Sequence, residues 1–207
     1  MGAGYWSIEP GTRVTSSRIV GLDPYTWRVD WINDGTADEV KLTVVCWRAE
    51  PSIQITSSGF GLGGGGFASQ GCSDTHPELL LGGFMRIART SRLLQSSPES
   101  ETNWQVTLRV PAGEFDDFRL QVICTDAGYN TYRITIPSDG GGGANPTFTA
   151  SCKPGDVLTG VGFAELAAGS SLRGVFAIAL DTARISWQNG PSPDTVELRI
   201  VCLQVVT

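Results

Sequence analysis

The sequence predicts an all-β fold made of three four-stranded pseudo-repeats. Two observations carry this expectation. An alternating seven-residue segment ending in cysteine occurs three times, at steps of 78 residues. Glycine, at 26 of 207 residues, joins Ser and Thr in separating short apolar runs along the whole chain, which is the texture of all-β domains.

The first strand of each copy follows the pattern glycine, aromatic, two variable residues, aliphatic. It reads Gly4-Tyr5-Trp6-Ser7-Ile8, Gly83-Phe84-Met85-Arg86-Ile87 and Gly162-Phe163-Ala164-Glu165-Leu166, at steps of 79. The second strand is matched as Ser17-Arg18-Ile19-Val20, Ser91-Arg92-Leu93-Leu94 and, more loosely, Ser171-Leu172-Arg173-Gly174-Val175. The third is Trp27 to Trp31, Trp104 to Leu108 and Ala183 to Trp187. Trp27, Trp31, Trp104 and Trp187 alternate along these strands and are expected in the core. Polar, hairpin-like links follow at Asn33-Asp34-Gly35, Pro111-Ala112-Gly113 and Asn189-Gly190-Pro191.

The fourth strand is Val40 to Cys46, Phe118 to Cys124 and Val196 to Cys202. In copy one, positions 40, 42, 44 and 46 are apolar, while 41 and 43 are polar; the other copies repeat this. Such alternation describes a strand with one buried face. Two stretches, 87–94 and 163–180, also carry helical spacings. The equivalent part of copy one holds Pro10-Gly11 and Val14-Thr15, which oppose a helix, so strands are expected in all three.

The copies span residues 1–48, 72–125 and 152–207, within one compact domain. Connectors 49–71 and 126–151 each hold one short strand candidate, Ser52 to Thr56 and Tyr132 to Pro137. Each also has a glycine run, Gly63 to Gly66 and Gly140 to Gly143, read as a flexible loop. Twelve strands in three equal copies suit a β-prism of three sheets, with tandem small β-sandwiches as the alternative.

Five cysteines allow two bridged readings. Cys72 and Cys152 open copies two and three. Within copies, Cys72 bonds Cys124 and Cys152 bonds Cys202, leaving Cys46 free. Across copies, Cys46 bonds Cys72 and Cys124 bonds Cys152, leaving Cys202 free. The first is favoured because copy one begins too late to hold an opening cysteine. A third reading keeps all five reduced on the apolar faces of their strands.

The net charge of −6, with only two lysines and scattered arginines, opposes nucleic acid or an anionic membrane as partner. No apolar run approaches the ~20 residues of a membrane span. The opening Met1 to Trp6 lacks a basic region followed by an apolar stretch, so no signal peptide is visible, whether never made or already removed.

Catalytic chemistry is poorly supported. The single histidine, His76, stands beside Ser73 and Asp74 in one loop, which gives a general base no rigid support. Glu114, Asp116, Asp117 and Glu165 could pair as glycosidase carboxylates, but nothing marks two of them out. No cofactor is expected, with calcium the one candidate. Asp38, Asp116 and Asp194, each two residues before a fourth strand, could supply oxygen ligands. They read more readily as turn aspartates that accept backbone N–H bonds, because each loop offers too few side-chain oxygens for a calcium site. Trp6, Trp47, Tyr25, Tyr129 and Tyr132 could form flat, wet platforms for a sugar or a protein.

The order Cys152-x-Pro154-Gly155-x-x-Leu158-x-Gly160-x-Gly162-Phe163, a tryptophan-bearing strand, then a strand closing at Cys202 resembles a known motif. It is similar to the β repeats of actinobacterial secreted proteins and actinobacteriophage minor tail proteins. These run Cys-Pro-x-Gly, Gly-Gly-Gly, a central Trp and a closing Cys. Copy two keeps Leu81-Gly82-Gly83-Phe84 but has Ser73-Asp74-Thr75 after its cysteine, and copy one lacks the opening cysteine. A fold-level likeness is to the vitelline membrane outer layer protein family, a β-prism whose repeats end in an Asp-rich turn before a Cys strand. The resemblance implies a binding or structural role on a particle or cell surface and carries no catalytic residues. The expected function is therefore non-enzymatic: a bacteriophage virion component (tail, fibre or decoration protein), located in the virion or outside the cell. It would bind copies of itself or other structural proteins in a homo-oligomer or larger assembly. The alternative is a secreted lectin-like protein that binds cell-surface glycan, with threefold repetition adding avidity.

Overall fold

The structure is a computed structural model that describes residues 2–6, 8, 11–22, 25–34, 39–46, 52–138, 145–167 and 169–205. For Leu22, Tyr25 and Val45 it describes the backbone only. The protein is all-β. Copy one holds β1 (Gly2–Trp6), β2 (Thr12–Leu22), β3 (Tyr25–Asn33) and β4 (Lys41–Val45). The first connector holds β5 (Ile53–Gly63) and β6 (Gly66–Gly71). Copy two holds β7 (Glu78–Met85), β8 (Arg92–Pro98), β9 (Asn103–Arg109) and β10 (Phe115–Thr125). The second connector holds β11 (Thr131–Pro137) and β12 (Thr147–Ser151). Copy three holds β13 (Val157–Ala164), β14 (Ser171–Ala177), β15 (Thr182–Gln188) and β16 (Glu197–Leu203).

These strands form three antiparallel sheets, in the orders β12-β15-β14-β1-β4, β3-β2-β7-β10-β5 and β11-β16-β13-β8-β9-β6. One rule generates all three. The first and fourth strands of a copy pair with each other, and the first strand then meets the second strand of another copy. Thus β1 pairs β14, β7 pairs β2 and β13 pairs β8. Every sheet draws strands from two copies, and the cycle closes where copy one meets copy three.

The conserved-spacing glycine is explained at these meeting points. A Cβ on Gly4 would stand 2.2 Å from the Val175 carbonyl oxygen; on Gly83, 2.3 Å from that of Ser17; on Gly162, 2.4 Å from that of Ser96. Only glycine lets the two backbones approach this closely. The aromatic that follows each glycine is buried: Tyr5, Phe84 and Phe163.

The structure corrects the matching of the second strand. Val175 stands opposite Tyr5, Ser17 opposite Phe84 and Ser96 opposite Phe163. Ser17 is therefore equivalent to Ser96 and Val175, not to Ser91. The side chains agree, since Trp27 Nε1 donates to Ser17 Oγ at 3.1 Å and Trp104 Nε1 to Ser96 Oγ at 3.0 Å. The serine-arginine-aliphatic pattern had matched residue types rather than the pairing register, which places Ser96, not Ser91, at the equivalent position.

Both connectors also depart from expectation, because each carries two strands rather than one. The Ser52 to Thr56 candidate extends to Gly63 as β5. The glycine run after it is no loose loop: Gly64 and Gly65 have φ of 71° and 97° and turn the chain from the sheet of β10 into that of β9. Gly140 to Gly143 lie outside the described residues. Within the stretch 163–180, β13 ends at Ala164 and β14 runs Ser171–Ala177, and the described residues contain no helix.

Apolar side chains from all three copies pack into one core that includes Trp27, Trp104, Trp187, Phe118 and Val196, with Val40 packed against it. Disulfides join Cys72 to Cys124 and Cys152 to Cys202, and Cys46 is free and exposed, which is the within-copy pairing. Two bridges point to an oxidising, extracellular setting. Among the described residues no helix is long and apolar enough to cross a membrane.

Candidate functional site

The three copies are equivalent in sequence pattern but not in burial, and the difference is concentrated on one face of copy one. Trp31 is 43% exposed, whereas its counterparts Leu108 and Trp187 are each 1% exposed. Leu42 is 40% and Val44 37% exposed, whereas Leu120, Val122, Leu198 and Ile200 are all at 0%. Cys46 is exposed, whereas Cys124 and Cys202 are at 0%. The expectation of a core position for Trp31, and of a buried face for Leu42, Val44 and Cys46, thus fails in copy one.

Sheet topology gives the reason. In copies two and three, connector strands lie beyond the copy's own strands: β5 and β11 cover β10 and β16, and β6 and β12 cover β9 and β15. In copy one, β4 and β3 are themselves the edges of their sheets. Their outer N–H and C=O groups face outward beside exposed apolar side chains, an arrangement that templates strand addition.

A second feature lies where the three copies meet. A cavity of about 240 Å³ is walled by Tyr5 and Ile8 of copy one, Ile87 and Leu93 of copy two, and Phe163 and Leu166 of copy three. Burial pushes the Tyr5 phenol up from its ordinary range. Arg92 also lines the cavity. Burial, then the nearby Arg109 and Arg13, lower its pKa, while Asp194 opposes them; the guanidinium nonetheless stays charged. The buried hydroxyls of Thr12 and Ser91, both in the lining, find no hydrogen-bond partner among the described residues. At the rim, Asp34 joins Arg13 of its own copy to Arg89 of copy two. Those two hydrogen bonds hold the Asp34 carboxyl below its usual range.

The spaced aspartates act separately and locally. Asp116 is buried and accepts from the Ala88 amide at 3.2 Å and 3.0 Å through its two oxygens. Asp194 is buried and accepts from the Ala167 amide at 2.7 Å. Each amide lies two residues beyond a residue with positive φ, Arg86 at 64° and Glu165 at 63°. The aspartate therefore pins the sharp exit from the first strand of its copy, which is the backbone-acceptor role. Among the described residues no group of three or more His, Cys, Asp or Glu could hold a metal ion. Asp38 lies outside the described residues.

The described aromatic candidates, Trp6, Tyr129 and Tyr132, are not assembled into one platform. Trp6 stacks on Phe176 with ring centroids 5.5 Å apart and carries the Lys41 ammonium 4.7 Å from its ring. Tyr132 lies in a different sheet, where it donates to Asp156 at 2.6 Å and accepts from the Lys153 amide at 2.9 Å. Burial, then the bond to Asp156, raises its pKa. Tyr129 is half-buried in the turn after β10. Trp47 and the side chain of Tyr25 lie outside the described residues.

His76 meets a serine that the loop reading had not singled out. Its Nε2 is 2.9 Å from Ser52 Oγ, and its Nδ1 is 3.1 Å from Thr75 Oγ1. The group orienting the imidazole is a hydroxyl rather than a carboxylate, so the imidazolium needed in base catalysis would gain little stabilisation. Ser73 turns instead to Gln54, at 2.6 Å. No protein-family profile and no curated protein matches the chain.

Proposed function

We propose that this protein is a non-enzymatic structural and recognition component of a surface assembly, most specifically a bacteriophage virion part such as a tail, fibre or decoration protein. It acts by binding further subunits. The observation that carries the reading is the open face of copy one, where Trp31, Leu42 and Val44 are 43%, 40% and 37% exposed on strands at sheet edges. Taking such a side chain from full exposure to full burial stabilises by about 1.5–3 kcal/mol, so a subunit that covers these partly exposed ones gains a share of that from each, together with backbone hydrogen bonds. Two disulfides suit a protein that works outside the reducing cytoplasm. The resemblance to actinobacteriophage tail repeats supports the virion form of the reading. Mass spectrometry and immunogold electron microscopy of gradient-purified particles test it. The expected result is a stoichiometric component at a fixed place on the particle; recovery solely as a free monomer in the medium overturns the reading.

The cavity supports a second reading, recognition of a small glycan. A space of about 240 Å³ with aromatic and aliphatic walls and two arginines, Arg13 and Arg92, suits a single sugar ring with an acceptor group. Binding on a glycan array that is lost in Arg92→Ala would favour it; an array without hits removes it.

A further inference from the structure

The open face of copy one has a template within the same molecule. In copy two, the strand-turn-strand segment 53–71 covers the copy's outer edges and leads directly into Cys72, which bonds Cys124. In copy three, β11 and β12 do the same and lead into Cys152, which bonds Cys202. Both covering strands run antiparallel to their hosts. Cys124 stands opposite Gln54, and Cys202 opposite Tyr132. On the second strand, Phe67 faces outward while Ala68 is buried opposite Val106, and Phe148 stands opposite Ile185. The cysteine follows Ala68 and Phe148 at the same spacing.

Among the described residues, nothing plays this part for β4 and β3. The two five-stranded sheets each lack one outer strand relative to the six-stranded sheet. Both vacancies fall on copy one, beside the free Cys46. Of the positions a covering segment would bury, Trp31, Val29, Leu42, Val44 and Cys46 are exposed or half-buried there, while Trp27 is already buried.

Resting on the assembly reading above, we propose that this face docks an extended segment donated by another polypeptide. The segment has the form strand, glycine turn, strand, cysteine. Its first strand pairs antiparallel with β4 and its second with β3, and its cysteine bonds Cys46. This is strand addition with main-chain hydrogen bonds for affinity and alternate apolar side chains for specificity. The covalent step is thiol–disulfide exchange. The Cys46 thiolate attacks the donor cysteine held as a mixed disulfide with a small thiol. A sulfur–sulfur bond forms to Cys46, and the small thiol leaves and takes up the proton.

The probe is a synthetic peptide with the sequence of residues 52–72, its cysteine activated as a mixed disulfide with thionitrobenzoate. It is compared with a scrambled peptide activated in the same way. The expected result is release of thionitrobenzoate about tenfold faster or more with the ordered peptide, because strand pairing raises the local concentration of the two sulfurs. With Cys46→Ser, covalent capture is lost. Hydrogen exchange at β3 and β4 still slows in the presence of the ordered peptide. Equal rates for both peptides, with no slowing of exchange, overturn the proposal. So does a Cys46-linked dimer of the protein whose β4 amides are protected, since a second copy is then the occupant. The outcome is separable from the assembly reading. Particle association without peptide capture sinks the strand donor alone, and capture without particle association sinks the virion reading alone.

Discussion

Gly83 lies so close to Ser17 that a side chain there would meet the Ser17 carbonyl oxygen at 2.3 Å. This contact joins copy one to copy two, and its equivalents at Gly4 and Gly162 join the other pairs. Gly83→Ala should therefore push apart two backbones rather than a flexible side chain. The expected loss of stability is about 1–3 kcal/mol or more. Gly59→Ala, on a strand where an added Cβ meets nothing within 4 Å, is the control and should change little. Chemical denaturation of the two variants makes the comparison.

Removing the Asp116 carboxylate leaves the Ala88 amide without its acceptor at 3.0 Å. Asp116→Ala is expected to cost about 1–3 kcal/mol, whereas Asp117→Ala, on the exposed face of the same strand, should cost little. Because Asp116 and Asp194 are spent on backbone amides, added calcium or a chelator should leave the melting temperature unchanged. A calcium-dependent rise would restore these aspartates as ligands.

The two disulfides close loops with sequence separations of 52 and 50. On the chain-entropy account each stabilises by about 4 kcal/mol. Replacing Cys72 and Cys124 together by serine should lower the denaturation midpoint strongly, and so should the equivalent change at Cys152 and Cys202. Cys46→Ser should not, because Cys46 is free and exposed.

Asp34 sits between Arg13 and Arg89, and its folded pKa is lowered by them. The sign follows from linkage. A carboxyl whose folded pKa is depressed contributes stability above the unfolded value of about 3.9 and loses it as pH falls through the folded value. Carboxyl NMR titration should give Asp34 a midpoint below 3.9. Arg89→Ala should move that midpoint upward, and added salt should do the same, because the group is exposed and screened. A midpoint at or above the unfolded value would contradict the bridge.

Strand identity was legible because alternation and spacing record burial directly: Leu120, Val122 and Cys124 repeat as Leu198, Ile200 and Cys202. The within-copy cysteine pairing was favoured among open alternatives because copy one lacks an opening cysteine. The glycine-aromatic pattern also pointed to a real constraint, the inter-copy contact at Gly83 and its equivalents. What sequence alone did not show was which partner each strand takes. A strand's apolar code is the same whether its neighbour belongs to its own copy or another, so the exchange of β1 to β14 left no local signal. For the same reason Leu42 and Val44 read as buried, since their sequence matches that of positions whose covering strand is present. The extra connector strands β6 and β12 were hidden because short, small-residue strands such as GFASQG resemble loops. The cavity escaped detection because its lining comes from three distant segments.

The pairing of β1 with β14 ties together two segments that lie far apart in the sequence, with Tyr5 opposite Val175. A ribosome must release the whole stretch between them before Tyr5 can find Val175. Such distant closure is slow, since the entropy of joining remote segments is lost before any contact rewards it. A chain halted after copy two could form one of the three sheets, leaving β1 and β8 without their partners on β14 and β13. Maturation should therefore be cooperative across all three copies, and premature termination should yield a product that proteases clear instead of a stable fragment.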